Sequence, residues 1–200
     1  LQKDKNDFKN ADEATRFSYT ETLTRQTVLD GGQGRAPAQV FLPVVSVPEL
    51  ECLILNWSFF ETCIHSNSYS HIIRNVFNMP KDVFNKIHGN PQLIKMSASV
   101  GQYYDHLYNL NCKSQISPKS VSENEHIDAI WMALNASYGL EAIRFLCSFA
   151  VSFGFAENGI FMGNGNIISL IMQDELLHME WTAYLINQVV KDDPRFAEAK

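Results

Sequence analysis

The sequence is short of charge, and of positive charge most of all. Charged residues make up 19% of it, and sixteen Lys and Arg against twenty-two Asp and Glu leave a formal charge of −6. That balance lacks the basic stripe of a duplex nucleic-acid binder. Cysteine is scarce too: four residues, at 52, 63, 112 and 147, with no C-x-x-C spacing. Such scatter fits reduced thiols in a cytoplasmic protein and not a disulfide scaffold. No basic segment followed by an apolar core opens the chain, so no signal peptide is expected. The longest apolar stretch, Phe145 to Phe155, is interrupted by two serines. It falls short of the ~20 residues a bilayer span needs. Neither nucleic acid nor a membrane is an expected partner. No stretch alternates with period 2, which leaves no convincing strand.

Helices remain. Two hundred residues suit one domain, 1–200. Residues 7–30 have few helix breakers and end at Gly31-Gly32, which reads as a stop; Gly34 to Pro43 reads as an extended connection. From Pro48 the chain runs without Gly or Pro to Asn78. A short helix is expected over Lys81 to Ile87 and a longer one over Pro91 to Leu110, followed by a loop from Cys112 to Glu125. Residues 126–157 and Ile167 to Val190 read as two further long helices, joined by a Gly/Asn turn. The pattern is that of an all-α bundle. Lys191-Asp192-Asp193-Pro194 looks like the start of another helix, Asp193 capping it and Arg195 to Lys200 beginning it. The chain opens at Leu1 without Met, so a piece of a longer protein, lacking both termini, is expected.

The informative residues are charges that interrupt apolar faces. Glu141 lies in Leu140-Glu141-Ala142-Ile143-Arg144-Phe145-Leu146, apolar on nearly every side, and a helix apolar all round is a buried one. A bare carboxylate there costs several kcal/mol unless paired or bound to metal. A pair with Arg144 is one solution. Glu175 and His178, three apart on an apolar helix, share a face. Glu61, His65 and Tyr69 follow each other at intervals of four, among Trp57, Phe59, Phe60 and Ile64. They fit either a Glu–His pair at a core edge or a ligand set. Asp30 sits in the last turn before Gly31-Gly32, where the helix dipole disfavours an anion. Together Asp30, Glu61, His65, Glu141, Glu175 and His178 match a carboxylate-bridged dinuclear site. Two helices each give one carboxylate to it, and two each give a Glu/His pair. Oxygen and imidazole donors of this mix suit iron or manganese.

At these residues the chain resembles the small, radical-generating subunit of class I ribonucleotide reductase. Ser68-Tyr69-Ser70-His71-Ile72-Ile73-Arg74-Asn75, Leu140 to Phe145 with Ser148-Phe149-Ala150, and Asp174-Glu175-Leu176-Leu177-His178 carry the match. Gln26 to Asp30, Gln33-Gly34-Arg35 and Pro48 to Glu51 extend it. The resemblance implies a ferritin-like bundle with a dimetal site in its core. Asp30, Glu61 and His65 would hold one metal, and Glu141, Glu175 and His178 the other. Glu61 and Glu175 would bridge the pair of irons (or manganese, or one of each). It implies that reaction with dioxygen oxidises Tyr69 to a radical, shielded by Phe145, Phe149 and Ile171. Asp174 would orient His65, and Trp57 would hydrogen-bond near Glu141. The radical would pass to a large catalytic subunit for ribonucleoside-diphosphate reduction and deoxyribonucleotide synthesis, with the small subunit a homodimer. The family's upstream tryptophan and C-terminal docking tail lie outside these residues, so this chain alone is expected to bind metal without supporting turnover. Two other readings stand beside this one: a different dimetal oxidase or oxygenase, and a metal-free bundle acting as a scaffold.

One spacing departs from the family. There the first Glu and His are three apart, whereas Glu61-Thr62-Cys63-Ile64-His65 puts them four apart. An extra residue in a regular helix rotates everything after it by ~100°. Both flanks can keep their places only if a π-helical turn between about Phe59 and Ser66 absorbs it, with Cys63 squeezed outward.

Overall fold

The computed structural model describes residues 1–199, without the side chain of His88, and every regular element among them is helical. Helices α1 (Gln2–Asn10) and α2 (Glu13–Gln33) precede the short α3 (Ala36–Phe41) and a 3-10 turn, Leu42–Val44. A continuous rod follows, made of α4 (Pro48–Phe59), a π-helical turn (Phe60–His65) and α5 (Ser66–Val76). Next come α6 (Pro80–Gly89) and α7 (Pro91–Ile116). A second rod consists of α8 (Glu123–Gly139), another π-helical turn (Leu140–Phe145) and α9 (Leu146–Glu157). Helices α10 (Met162–Asp192) and α11 (Arg195–Glu198) end the order, and Lys200 lies outside the described residues.

The starts follow simple chemistry. Proline, whose missing N–H costs nothing in a first turn, opens α4, α6 and α7. Side chains of Asp12, Asn90 and Ser122 accept the orphan N–H groups of α2, α7 and α8. The stops are less simple. Gly31-Gly32 does not end α2, because the amide of Gly34 still donates to the Asp30 carbonyl at 2.8 Å and keeps the ladder intact. The expected extended link from Gly34 to Pro43 is instead α3 and its 3-10 turn, and the expected loop from Cys112 is helical as far as Ile116. The first helix divides at Ala11–Asp12, and α10 starts at Met162, inside the expected turn.

Helix α2 packs against α7, α9 and both π turns; α10 packs against α8, α9 and the second π turn. Between them lies a core containing Trp57, Tyr69, Leu107, Phe145, Phe149, Phe161 and Ile168, all but sealed from solvent. Read as one helix, Glu123–Glu157 is long and apolar enough to cross a bilayer, although no uninterrupted apolar stretch is. A third of that apolar window is buried, and its inward face delivers Glu141, Phe145 and Phe149 to the bundle interior.

The first turn of α10 is held from outside. Phe161 precedes it with φ of +53° and stacks on Tyr19 at 4.0 Å between ring centroids. No side chain of its own caps it. Helix α1 supplies the acceptors: Asp4, buried, takes the amides of Gly163 and Asn164 at 3.0 and 2.6 Å, and Asp7 takes that of Phe161 at 3.0 Å. Two carboxylates at a helix N-terminus also complement its dipole. A Cβ at Gly163 would meet Asp4 at 2.9 Å, so glycine is what lets the two helices approach.

Asp4→Ala should strand those amides and cost about 1–3 kcal/mol. At this chain length that lowers Tm by roughly 2–4 °C per kcal/mol. Thermal denaturation of the variant beside the parent chain measures it, and an unchanged Tm would remove α1 from the account of how α10 is anchored.

Candidate metal centre

Four helical segments turn their polar residues into one interior space. Asp30 comes from the end of α2, Glu61 and His65 from the first π turn, Glu141 from the second, and Glu175 and His178 from α10. All six are buried. Ligand-capable atoms of Asp30, Glu61, His65 and Glu175 lie within 4.8 Å of one another, as do those of Glu61, Glu141, Glu175 and His178. Glu61 and Glu175 belong to both groups. Both imidazoles present Nδ1 to the cluster. His65 Nδ1 is 3.3 Å from Glu61, 3.4 Å from Glu175 and 3.6 Å from Asp30. His178 Nδ1 is 3.0 Å from Glu175, 3.1 Å from Glu61 and 3.9 Å from Glu141.

These atoms crowd together with little hydrogen bonding. Both oxygens of Asp30 and of Glu61, one oxygen each of Glu141 and Glu175, and Nδ1 of His65 have no hydrogen-bond partner among the described residues. Unpaired buried acceptors cost several kcal/mol unless a cation answers them. Four carboxylates and two imidazoles, divided into two overlapping groups of four, fit two divalent ions with oxygen and nitrogen preference.

The electrostatics follow from that crowding. Burial, then the Glu61 charge, pushes the Asp30 carboxyl well above its ordinary range; burial and the charges of Glu61 and Glu141 do the same to Glu175. Glu141 is raised as well, chiefly by burial. Glu61 goes the other way: burial raises it, but the imidazoles of His178 and His65 outweigh that and hold it low. Burial lowers His65, yet the carboxylates of Glu61 and Asp174 outweigh burial and raise it. Tyr69 is fully buried, and its phenol is held well above its usual pKa by burial and the charges of Asp30 and Glu175. Phe145 and Phe149, stacked at 5.7 Å, and Ile171 belong to the same sealed core as Tyr69.

The expected widened turn is present. The amide of Ser66 donates to the carbonyl of Glu61, five residues back. A turn closed that way holds one residue more than an α turn. Three residues separate Glu61 from His65, one more than in the family, and the widened turn takes up the extra one so that both flanks keep their places; Thr62, Cys63 and Ile64 are exposed. Gly34 anchors this turn. Its carbonyl accepts from Ser58 Oγ at 2.6 Å and Thr62 Oγ1 at 2.8 Å, and a Cβ there would sit 2.8 Å from Thr62 Oγ1. The second π turn, which presents Glu141, was not expected, since nothing in its spacing departs from the family.

The remaining expected site residues divide. Asp174 Oδ2 lies 3.1 Å from His65 Nε2, on the side of the ring away from the cluster. Trp57 is buried with its ring 5.7 Å from that of His178, but its indole N–H makes no hydrogen bond among the described residues. The expected bond from Trp57 towards Glu141 is therefore not made. Gln33 supplies that donor, at 2.5 Å from Glu141 Oε1. Arg144 does not pair with Glu141 either; it donates to the Met96 carbonyl at 3.0 Å. Gln33 and, behind it, Tyr104 were missed as site residues. The available signal was a polar side chain in the last turn of the helix that carries Asp30.

Comparison with known proteins agrees with this geometry. The sequence profile of the family described as "Ribonucleotide reductase, small chain" matches residues 1–200. A protein named ribonucleoside-diphosphate reductase subunit beta from Buchnera aphidicola (subsp. Acyrthosiphon pisum) is 40% identical over 94% of the chain and 52% of its own length. The subunit beta of ribonucleoside-diphosphate reductase 1 from Escherichia coli O157:H7 is 38% identical over 99% of the chain and 56% of its own length. That of Enterobacteria phage T4 is 36% identical over 86% and 49%. The chain thus spans about half the length of the curated relatives it matches. Among solved structures, the ribonucleotide reductase R2 subunit from Clostridium botulinum shares the fold with a TM-score of 0.81. It is 21% identical, over 97% of this chain and 57% of that one.

Two predictions follow from the geometry. Gly34→Ala should push Thr62 away and disturb the first π turn, costing about 1–3 kcal/mol as overpacking does; a thermal melt reads it, and full stability would show the contact to be slack. The second concerns pH. Carboxyls raised in the folded chain hold protons that the unfolded chain releases, so their stabilisation is complete below about pH 4 and is lost as pH climbs through the raised values. His65, also raised, adds to the loss above its usual value of 6.5. Glu61, held low, acts oppositely, and only below its usual 4.5. The metal-free chain should therefore lose Tm as pH rises from the ordinary carboxyl range through neutrality, and excess Mn(II) should remove the slope. A flat profile without metal would mean the charges are already balanced.

Proposed function

The chain belongs to the ribonucleotide reductase small-chain family, and we propose that it forms the radical-generating core of that subunit. The observation that supports this most is the pairing of two overlapping ligand groups with a fully buried tyrosine one turn beyond His65. In this reading Asp30, Glu61 and His65 hold one ion, Glu141, Glu175 and His178 the other, and Glu61 and Glu175 are shared. Iron is the first expectation, with manganese or a mixed pair as variants. Bound there, a reduced pair supplies dioxygen activation and the one-electron oxidant for a phenol.

The chain's own residues do the rest. Asp174, at His65 Nε2, fixes the ring so that Nδ1 faces the cluster. Burial, with the charges of Asp30 and Glu175, favours the protonated Tyr69 phenol, so its oxidation releases a proton as well as an electron, and the Asp30 carboxylate beside the phenol is the base that would take the proton. Phe145, Phe149 and Ile171 surround this chemistry with apolar side chains and keep water from quenching the product. The oxidising equivalent then passes to a large catalytic subunit, where ribonucleoside diphosphates are reduced; the assembly is a homodimer of small subunits with that partner. The relatives' names support the substrate class and a further subunit; the homodimer and the transfer rest on the resemblance to the family.

The test is direct. Metal-free chain given Fe(II) and then dioxygen should take up two ions and develop a tyrosyl electron paramagnetic resonance signal. Tyr69→Phe should keep both ions and lose the signal. Two ions without any radical in the parent chain would favour a dimetal oxidase instead, and failure to bind metal would favour a scaffold.

A further inference from the structure

One oxygen of Glu141 is already occupied. Gln33 donates to it from Nε2, and the same carboxamide accepts at Oε1 from the Tyr104 hydroxyl at 2.7 Å. Tyr104 Oη in turn lies 2.7 Å from Ser137 Oγ. All four residues are buried, and they come from α2, α7, α8 and the second π turn. None of these partners is needed to close a helix. Apart from a bond of Ser137 Oγ to the Ala133 carbonyl, the chain of bonds leads to Glu141.

A carboxamide can lie either way round with almost the same shape. With nitrogen towards Glu141 it donates to the carboxylate. Turned over, it would set two acceptors against each other. Tyr104 decides between the two, because a phenol has a single proton to give and here gives it to Gln33 Oε1. Tyr104 Oη is then free to accept from Ser137. Donors run from Tyr104 through Gln33 to Glu141, and the single Ser137 proton is divided between Tyr104 Oη and the Ala133 carbonyl, 2.9 Å away on its own helix. Burial holds the Tyr104 phenol protonated, so the donor is always present.

We infer that Tyr104 is a positioning residue for the cluster: acting through Gln33, it keeps Glu141 Oε1 engaged and leaves Oε2 to the ion shared with Glu175 and His178. Glu141 Oε2 is buried, unpaired among the described residues and 3.9 Å from His178 Nδ1. This inference rests on the dimetal reading above. It assigns the network to one of the two ion positions, because Asp30 and His65 make no hydrogen bond to it.

Titration of the metal-free chain with Co(II), followed by its visible absorption and by calorimetry, separates the outcomes. The parent chain should bind two ions in two resolvable steps. Tyr104→Phe removes one oxygen and keeps the ring; it should weaken one step roughly 10-fold, as loss of a ligand's supporting hydrogen bond does. The other step should stay within about twofold, and only one ion's absorption bands should move. Ser137→Ala, at the far end, should weaken the same step by less, and it serves if Tyr104→Phe fails to fold. Unchanged constants in both variants would overturn the inference while leaving the dimetal reading intact. Equal weakening of both steps would also overturn it, since general loosening does that. A parent chain that binds no Co(II) would sink the dimetal reading and this inference with it.

Discussion

Four carboxylates share one dry space, and everything else about the molecule is arranged around that repulsion. Two imidazoles cannot balance four charges even if both are protonated. Burial first, and then like charges this close, push the carboxyls of Asp30, Glu141 and Glu175 towards the protonated form. A fold that keeps such a cluster together without cations is working against its own electrostatics. The opposing force is packing. Long helices with sealed aromatic and aliphatic faces hold the carboxylates where they are, and the side chains beside them have little room to turn away.

Two helices depart from α geometry, and both do so at the cluster. Each π turn lies where a Glu is presented, and a residue four on, His65 in the first and Phe145 in the second, is buried with it. An α turn would have swung that fourth residue further round. The widening costs regular hydrogen bonds, which explains why such turns persist mostly where a site needs the altered aim. Here the aim is a shared point between α2 and α10, and the two π turns approach it from separate rods.

The helical architecture and the six polar residues were legible because burial leaves a mark on sequence. Glu141 in an apolar helix and the Glu175/His178 pair could be picked out by eye, and the odd spacing from Glu61 to His65 betrayed the first π turn. The second left no such trace, since its spacing is the family's own. Gly31-Gly32 misled for a different reason. Glycine is a poor helix former but no barrier to one, and open space around both positions lets α2 run on to Gln33. That extra turn matters. It places Gln33 where it reaches Glu141, a bond between residues 108 positions apart that no local pattern could reveal. The Trp57 bond was implied by the resemblance alone; here the indole N–H has no partner among the described residues, and the ring lies 5.7 Å from that of His178.

The inserted residue has also been put to use. A helix end leaves its last carbonyls without partners, and α2 ends at Gln33, one turn beyond Asp30. The carbonyl of Gly34 is satisfied from across the bundle, by hydroxyls of Ser58 and Thr62 one turn apart on the neighbouring rod. Thr62 lies inside the widened turn, next to Glu61. The same local geometry that aims Glu61 and His65 therefore also ties their rod to the end of α2. Glycine at 34 lets the backbones come this close, and the exposed bulge around Cys63 takes up the slack. Were the turn to relax to a regular helix, Thr62 would rotate off the Gly34 carbonyl as Glu61 or His65 rotated off the cluster. One hydrogen bond thus couples the shape of the π turn to the position of Asp30.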